Sequence, residues 1–521
     1  MNLSSEQSRS ANQSVTEHFA TDHLLPNLRE RTVSSGVITA AAQAAQFFLN
    51  LGFTIILARL LTPRDFGLVA MVTTIMGFLF VFREIGLSTA TVQCESISHR
   101  QVSNLFWINT GVGAFITALV ALTAPLFGRF YHEPAVTSIA LALSGAFLLN
   151  GLGVQHMALL NRQMRFRAVS LIEVLSTGLG LAIGMVVALF EFSYWSLVVA
   201  TMSTAILRTA AAWITCKWRP QLASRDSGTW PLLRFGASLS VSGFLYSFSR
   251  GCDILLLGRF VGSDAVGLYS RAAGLFIRPL EQVLSPINTV IVPVLSRMQT
   301  DPARYRRAYY QVFEPLAIGS AVFAGIFLPL ALPLTLVVLG VQWEAAAPIF
   351  AALTPAALYF PLASAASWLY SSQGRGNHLL RVSVVAAISM IVCFVIGLGF
   401  GPTGVAIGFS ISGVCIQLPY TFYVAGREGP VGTGDLWRAL LRHLPIYPVV
   451  CLTTWLSSRW MTDFHPITKL VVCTLAGSVS GGLFILIWPP SRRTVLSLVR
   501  TVKEFKAGTV SQNVATFPSV S

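Results

Sequence analysis

The sequence predicts an all-α integral membrane protein with about fourteen transmembrane helices. Three observations lead to this fold class. Only 11% of the 521 residues are charged, the mean hydropathy is +0.66, and long apolar runs recur along the whole chain. Soluble domains carry roughly 25% charged residues. Because a soluble surface requires charge, the deficit indicates that lipid is the main solvent of this chain.

The apolar runs define the predicted spans, since a helix needs about 20 mostly apolar residues to cross the hydrocarbon core. Polar links at 217–230 and 427–435 divide these spans into groups of six, six and two. The predicted spans are 36–58, 66–93, 104–127, 135–157, 168–190, 193–216, 232–257, 265–293, 310–338, 345–371, 379–400, 402–425, 439–458 and 467–488.

This grouping predicts the domain organisation. A polar tail (1–31) precedes an N-lobe of six helices (32–217) and a C-lobe of six helices (231–425). Two extra helices (438–489) and a basic tail (490–521) follow. The first apolar run is taken as a span, because no basic segment followed by an apolar core and a small-residue cleavage site precedes it.

The distribution of Lys and Arg predicts the orientation. Of the 36 basic residues, 25 fall in segments on the side of the N-terminus, 6 on the other side and 5 within spans. Cytoplasmic loops carry the excess of Lys and Arg in membrane proteins. We therefore expect a multi-pass protein of the inner membrane with both termini in the cytoplasm. The same bias explains the net charge of +15 without a nucleic-acid partner.

An internal repeat relates the two lobes at an offset of 200 residues. The stretch 55–61 (IILARLL) corresponds to 255–261 (LLLGRFV), and Gly67-Leu68 corresponds to Gly267-Leu268. Because six spans, an even number, separate the copies, both enter the membrane from the same side. Parallel repeats of this kind are related by an axis along the membrane normal, and their halves rock to give alternating access. The repeat thus favours a transport architecture around a central cavity.

Polar residues form stripes within the first, second, seventh and eighth spans. An ionisable residue inside a span costs roughly 2.5–3.5 kcal/mol, so such residues are expected to face a cavity or a partner. The predicted cavity residues are Gln43, Gln46, Asn50, Arg83, Tyr246, Arg250, Arg271 and Arg278, with Asp253, Glu84 and Glu281 as candidates for binding a coupling proton or cation.

Another interpretation of these charges remains open. Arg250 with Asp253, and Arg278 with Glu281, stand at i, i+3 and can neutralise each other on one helix face. Arg271 has no carboxylate at i±3 or i±4, which favours a functional role for it. Two further carboxylates inside spans, Glu173 and Glu314, are interpreted as packing or helix-end groups.

Two stretches resemble a known family. Residues 58–67 (ARLLTPRDFG) with 83–88 (REIGLS), and residues 267–272 (GLYSRA) through 293–296 (PVLS), are similar to Wzx-like polysaccharide transporters of the MOP flippase superfamily, of the colanic-acid-exporter type. The resemblance implies a V-shaped pair of six-helix lobes with spans 1, 2, 7 and 8 lining the cavity. It implies as substrate an oligosaccharide on undecaprenyl pyrophosphate, turned from the cytoplasmic to the periplasmic leaflet. Membrane lipids, a polysaccharide polymerase and a chain-length regulator are the expected partners.

Two other functions remain as alternatives. A cation-coupled antiporter of small amphiphiles would use the same fold, and a membrane-embedded polysaccharide polymerase would use a large periplasmic loop. No predicted outside loop exceeds roughly ten residues, and no loop carries a catalytic motif. No metal site or cofactor is predicted, because the eight His are scattered and the seven Cys form no CxxC.

Overall fold

The structure, a computed structural model, describes residues 28–84, 88, 91–92, 94, 97–222, 248 and 250–506, without the side chains of 28–35, 81–84 and 501–506. The regular structure of these residues is helical throughout. The chain divides into two compact units, residues 1–267 and 268–521. The all-α fold class predicted from the apolar runs is therefore confirmed.

The first unit consists of long helices. They are α1 (Leu28–Leu60), α2 (Pro63–Glu84), α3 (His99–Tyr131), α4 (Pro134–Arg162), α5 (Phe166–Leu189) and α6 (Trp195–Cys216), followed by a helical segment at 250–260. Helix α7 (Ser263–Ser296) begins in this unit and continues into the second. Phe106, Leu159, Cys216 and Trp218 belong to a buried cluster that packs α3, α4 and α6 together.

Local sequence fixes where these helices begin. Ser98 and Gln101 form a capping box at the start of α3, in which each side chain accepts a hydrogen bond from the backbone N–H of the other residue. This arrangement satisfies two of the N–H groups that a helix start leaves unpaired. Proline at the first position of α2 and α4 has the same effect by removing an N–H, and its fixed φ suits the helix.

The second unit contains eleven further helices in the described part of the chain. They are α8 (Pro302–Phe327), α9 (Ala331–Val338), α10 (Ala347–Leu353), α11 (Phe360–Ser371), α12 (Gly376–Leu398), α13 (Gly401–Ile411), α14 (Leu418–Arg427), α15 (Thr433–His443), α16 (Ile446–Trp460), α17 (Pro466–Ile487) and α18 (Pro489–Lys506). Tyr305, Tyr309, Phe313 and Phe422 lie fully buried in its main core. The two extra helical segments, α16 and α17, pack against α8 through Ile318, Val450 and Cys473.

Three predicted spans are interrupted rather than continuous. The span 310–338 breaks between α8 and α9 at Pro329, the span 345–371 contains the 3₁₀ turn Thr354–Leu358 with Pro355, and 439–458 breaks before Ile446 at Pro445. Proline lacks a backbone N–H and its ring clashes with the carbonyl four residues earlier. Hydropathy does not predict these breaks, because it measures how apolar the side chains are and not whether each residue has a backbone N–H to donate.

Twelve helices in the described residues are long and apolar enough to cross a membrane. Two of the fourteen predicted spans are not among them. The span 232–257 lies mostly outside the described residues. The span 265–293 forms a helix of 34 residues that is not among the twelve, and this helix carries Arg271, Arg278 and Glu281. The total of fourteen stays a prediction.

The segment predicted as a basic tail begins with structure of its own. Helix α18 spans 18 residues and starts at Pro489, directly after α17 ends at Ile487. Ser491 and Thr494 of α18 are buried. The consecutive residues Pro489 and Pro490 explain the sharp change of direction, since proline cannot continue a helix but suits the first turn of the next one.

Candidate functional site

The polar stripe of α1 lies in the first unit. Gln43 is exposed there, and Gln46 and Asn50 are half-buried. The side-chain amide of Asn50 donates a hydrogen bond to the backbone carbonyl of Gln46 at 2.7 Å, one helical turn earlier. One donor of Asn50 is thus engaged with its own helix. Gln43, one turn further toward the N-terminus, is the most accessible amide of the stripe.

The other predicted residues of the first unit are described in part. Arg83 and Glu84 belong to the last turn of α2, but their side chains, like Tyr246 as a whole, lie outside the described residues. Arg250 is half-buried at the start of the segment 250–260. Asp253 is 8% exposed, and its Oδ1 accepts a hydrogen bond from the backbone N–H of Ile254 at 2.7 Å.

Helix α7 separates its polar and apolar residues onto opposite faces. In the second unit, Tyr269, Ala272, Phe276, Leu280 and Leu284 are buried and recur every three or four residues. This spacing places them along a single helix face. Arg271, Arg278, Glu281 and Ser285 lie on the opposite face, where Arg271 is half-buried and the other three are exposed. Charged residues within so long a helix are expected to face water or a polar partner rather than lipid.

The starts of α2 and α7 cross at the two glycines that the repeat equates. A Cβ atom on Gly67 would overlap the backbone carbonyl of Ser263, and a Cβ atom on Gly267 would overlap that of Pro63. Pro63 and Ser263 are themselves 200 residues apart, so each copy of the repeat makes the same contact with the other. The two close contacts are therefore reciprocal at the sequence offset of 200 residues. Only glycine permits the two backbones to approach so closely.

Polar contacts surround this crossing in the first unit. Glu133, from the turn between α3 and α4, pairs with Arg64 at 3.0 Å and accepts a hydrogen bond from the Ser263 hydroxyl at 2.9 Å. Asp65 accepts hydrogen bonds from the Thr62 hydroxyl at 2.7 Å and from the Ser193 hydroxyl. Four loop regions are thereby joined at one end of the helices. This cluster was not predictable from the polar stripes, although the Gly-Leu pair shared by both copies of the repeat lies at its centre.

The two carboxylates interpreted as packing groups both have basic partners. Glu173 of α5 pairs with Arg208 of α6 at 2.5 Å. Glu314 of α8 contacts Arg442 of α15 at 3.5 Å and accepts a hydrogen bond from Thr494 of α18 at 2.5 Å. Each carboxylate links neighbouring helices, in agreement with a packing role.

Comparison with known proteins shows to which family this chain belongs. The profile of a family described as polysaccharide biosynthesis protein matches residues 56–348, more than half of the chain. The chain belongs to this family. The matched segment contains α2, the crossing at Gly67 and Gly267, and the polar face of α7.

Named relatives of this family agree with the assignment. The chain is 25% identical over 436 residues to the lipopolysaccharide biosynthesis protein WzxC of Escherichia coli (strain K12), which covers 81% of this chain and 86% of WzxC. It is also 25% identical to the succinoglycan biosynthesis transport protein ExoT of Rhizobium meliloti (strain 1021), over 65% of this chain and 70% of ExoT. The resemblance to polysaccharide transporters is thereby confirmed.

A solved structure shares the fold. The lipid II flippase MurJ in an inward closed conformation superimposes with a TM-score of 0.69 at 14% identity, covering 87% of this chain and 98% of MurJ. At this identity the likeness concerns the fold alone. Together with the twelve apolar helices, it identifies a multi-pass membrane protein that shares the fold of MurJ.

Proposed function

We propose that this protein is a flippase that moves an undecaprenyl-pyrophosphate-linked oligosaccharide across the inner membrane for polysaccharide biosynthesis. The observation that carries the proposal is the charged face of α7, which lies within the segment that matches the polysaccharide biosynthesis family. Membership of this family assigns the pathway, and a charged face within a membrane helix supplies a surface for a polar cargo. The name of ExoT, a succinoglycan biosynthesis transport protein, supports a transport function, and that of MurJ, a lipid II flippase, supports a lipid-linked substrate.

The proposed cavity residues form two chemical groups that would contact different parts of the substrate. Arginine remains charged inside a membrane and its planar fork of donors matches phosphate oxygens, so Arg271 and Arg278, with Arg250 and Arg83, would hold the pyrophosphate. Gln43, Gln46, Asn50 and Tyr246 would hold sugar hydroxyls, because amides and phenols can both donate and accept hydrogen bonds. While the oligosaccharide and the pyrophosphate cross the membrane, the polyprenyl tail stays in the bilayer.

The crossing of α2 and α7 suggests where the protein opens. The positive-inside bias places Arg64 and Arg259 on the periplasmic side, so the contacts around Gly67, Gly267 and Glu133 would lie at the periplasmic end. We propose that α2 and α7 separate there when the cavity opens outward. Backbones in direct contact through glycine carry no interlocking side chains, so they can part without repacking.

The proposed mechanism includes a division of the chain into spans and lobes and a membrane orientation. We propose fourteen spans, an N-lobe at 32–217, a C-lobe at 231–425, extra helices at 438–489, and both termini in the cytoplasm. A polysaccharide polymerase and a chain-length regulator would receive the product, since a translocated repeat unit has to be polymerised on the periplasmic side.

Asp253 is a candidate for a coupling residue, because its carboxylate is buried and its Oδ1 accepts a hydrogen bond from the backbone N–H of Ile254. We expect Asp253→Asn to abolish the dependence of transport on the proton gradient while retaining the fold, because the amide is isosteric but cannot titrate. Transport into vesicles with and without an imposed pH gradient measures this. Glu281→Gln and Glu84→Gln test the other two candidates, and an unchanged response to the gradient in Asp253→Asn would exclude Asp253.

The proposed function is tested in a strain that lacks the gene. We expect the lipid-linked repeat unit to accumulate in the inner leaflet, because its synthesis continues while its translocation stops. Mass spectrometry of extracted lipids detects the unit, its resistance to a glycosidase added outside intact spheroplasts assigns it to the inner leaflet, and restoring the gene should return it to wild-type levels. If the protein were an antiporter, loss of the gene would leave the amount of the repeat unit unchanged. If it were a polymerase, the repeat unit would accumulate in the outer leaflet instead. Either result would refute a flippase.

A further inference from the structure

A second polar cavity lies in the second unit, at the bend where α17 ends and α18 begins. Its volume is about 490 Å³, and its lining includes Glu314, Arg442, Pro489, Arg493, Thr494 and Ser497. None of these residues belongs to the proposed transport cavity. The cavity joins α8, α15 and α18, three helices that are far apart in the sequence.

Contacts around Glu314 build the wall of this cavity. Its carboxylate accepts a hydrogen bond from Thr494 and lies 3.5 Å from Arg442 and 3.7 Å from the Nε2 of His443. His443 is fully buried, and its Nδ1 lies 2.8 Å from the hydroxyl of Ser491. These contacts fix the N-terminal part of α18 against α8 and α15, so the cavity has a built wall rather than a loose surface.

The charges that line the cavity do not balance. Two guanidinium groups, Arg442 and Arg493, face one carboxylate, Glu314. The side chain of Arg442 is 49% exposed, whereas that of Glu314 is 19% exposed, so part of the Arg442 side chain stays accessible despite its contact with the carboxylate. Arg493 is exposed and makes no ion pair with any residue that the structure describes. The surplus of positive charge favours an anion with several oxygen acceptors.

The position of the bend restricts which anion can reach the cavity. Helix α17 has the length and apolarity of a membrane span and ends at Ile487. The indole N–H of Trp488, the next residue, donates a hydrogen bond to the backbone carbonyl of Arg442 at 2.9 Å. Tryptophan is enriched at the level of the lipid headgroups. The cavity therefore opens at the depth where lipid phosphates lie.

The exposed side chains of α18 also indicate that this helix lies at the depth of the lipid headgroups. Leu496 is 57% exposed and Val499 is 46% exposed, and both lie close on the helix to the exposed residues Arg492 and Arg500. Apolar and basic side chains exposed together are typical of a helix that lies in the membrane interface. Anionic lipids attract such segments with about 1 kcal/mol for each Lys or Arg near the surface.

We propose that Arg442 and Arg493 bind the phosphate group of an anionic lipid in the leaflet that contacts α18. The guanidinium groups supply the charge-assisted hydrogen bonds, whereas the Ser497 hydroxyl donates to the backbone carbonyl of Thr494 at 2.7 Å. Glu314 limits the affinity because it competes for Arg442. The site holds a resident lipid at the junction of α8, α15 and α18, and it is separate from the substrate that crosses the membrane.

The experiment measures how much phosphatidylglycerol the full-length protein retains in native mass spectrometry. We expect Arg493→Gln to lower retention roughly tenfold or more, because it removes charge-assisted hydrogen bonds to the phosphate, whereas the loss of diffuse attraction alone lowers retention by about fivefold at most. The matched control is Arg492→Gln, an exposed arginine on the same helix that does not line the cavity. Since Arg442→Gln removes a partner of Glu314 and can affect folding, Arg493→Gln is the decisive variant. Glu314→Gln still accepts a hydrogen bond from Thr494 and should raise retention.

Three probes identify the source of the phosphate group. The proposal is supported if the protein retains phosphatidylglycerol or undecaprenyl phosphate and Arg493→Gln lowers that retention. The lipid that is retained better is the resident lipid. Binding of inorganic phosphate without retention of either lipid would overturn it. Equal losses in Arg493→Gln and Arg492→Gln would show diffuse attraction and also overturn the proposal, as would unchanged or lower retention in Glu314→Gln.

Discussion

Replacing Arg271 with alanine should abolish polysaccharide export while the protein still reaches the membrane at wild-type levels. Arg271 lies on the charged face of α7, opposite the buried residues Tyr269 and Phe276. Hydrogen bonds to charged groups contribute about 1.5–3 kcal/mol each, so the loss of one or two of them lowers transport by roughly 10- to 100-fold or more. Surface polysaccharide is quantified in cells, and an immunoblot of membranes reports expression.

Arg297→Ala is the matched control for this variant. Arg297 is exposed and follows the last residue of α7, Ser296, outside the charged face. Its loss removes the same charge from the same region and is expected to leave export within about twofold of wild type, as for surface substitutions away from functional contacts. If Arg271→Ala exports normally, or if both variants lose export equally, Arg271 has no specific role in transport. Arg271→Lys separates charge from geometry, because lysine cannot form the planar bidentate contact.

Gly67→Ala and Gly267→Ala should both destabilise the protein and reduce transport. The added Cβ atom of either variant would overlap a backbone carbonyl, that of Ser263 or that of Pro63, and a backbone cannot yield as a flexible side chain does. Overpacking typically costs 1–3 kcal/mol. We therefore expect a loss of about this size in the free energy of unfolding. Thermal unfolding of the protein in detergent micelles measures the shift.

Two glycines of the same helices give controls with the opposite sign. Gly77 of α2 and Gly274 of α7 have no heavy atom within 4 Å of the position a Cβ would take. Alanine there should be neutral or should stabilise by roughly 0.4–1 kcal/mol, because it lowers the entropy of the unfolded chain. A shift of the same sign for Gly67→Ala and Gly77→Ala would contradict the close crossing. Restored stability in a variant with both Gly67→Ala and Gly267→Ala would do so as well.

The fold was largely predictable because hydropathy is a local property. Twelve of the predicted spans correspond to helical stretches that are apolar enough to cross a membrane. The breaks at Pro329, Pro355 and Pro445 were not predicted, although each proline is visible in the sequence. Prolines inside membrane helices are often tolerated. Whether a given proline bends or interrupts a helix depends on whether neighbouring helices satisfy the freed carbonyls.

The candidate site was predictable in its periodicity but not in its surroundings. The spacing of Arg271, Arg278 and Glu281 placed them along one face of a helix, and the structure places them opposite the buried face of α7. The ion pairs and hydrogen bonds of Glu314 were not predictable. Its partners Arg442 and Thr494 lie more than a hundred residues away in the sequence. Their approach depends on how α8, α15 and α18 pack.

The sequence by itself determined the membrane class and the family and predicted the internal repeat, since composition, periodicity and repetition can be read along the chain. It aligned Gly67 with Gly267 without revealing that the two copies touch there. The tertiary structure alone decided that contact, together with the Glu133 cluster around it and the cavity beside α18. The physical reason is that a hydropathy pattern fixes which face of a helix is buried, whereas only the packing of helices fixes which residues meet.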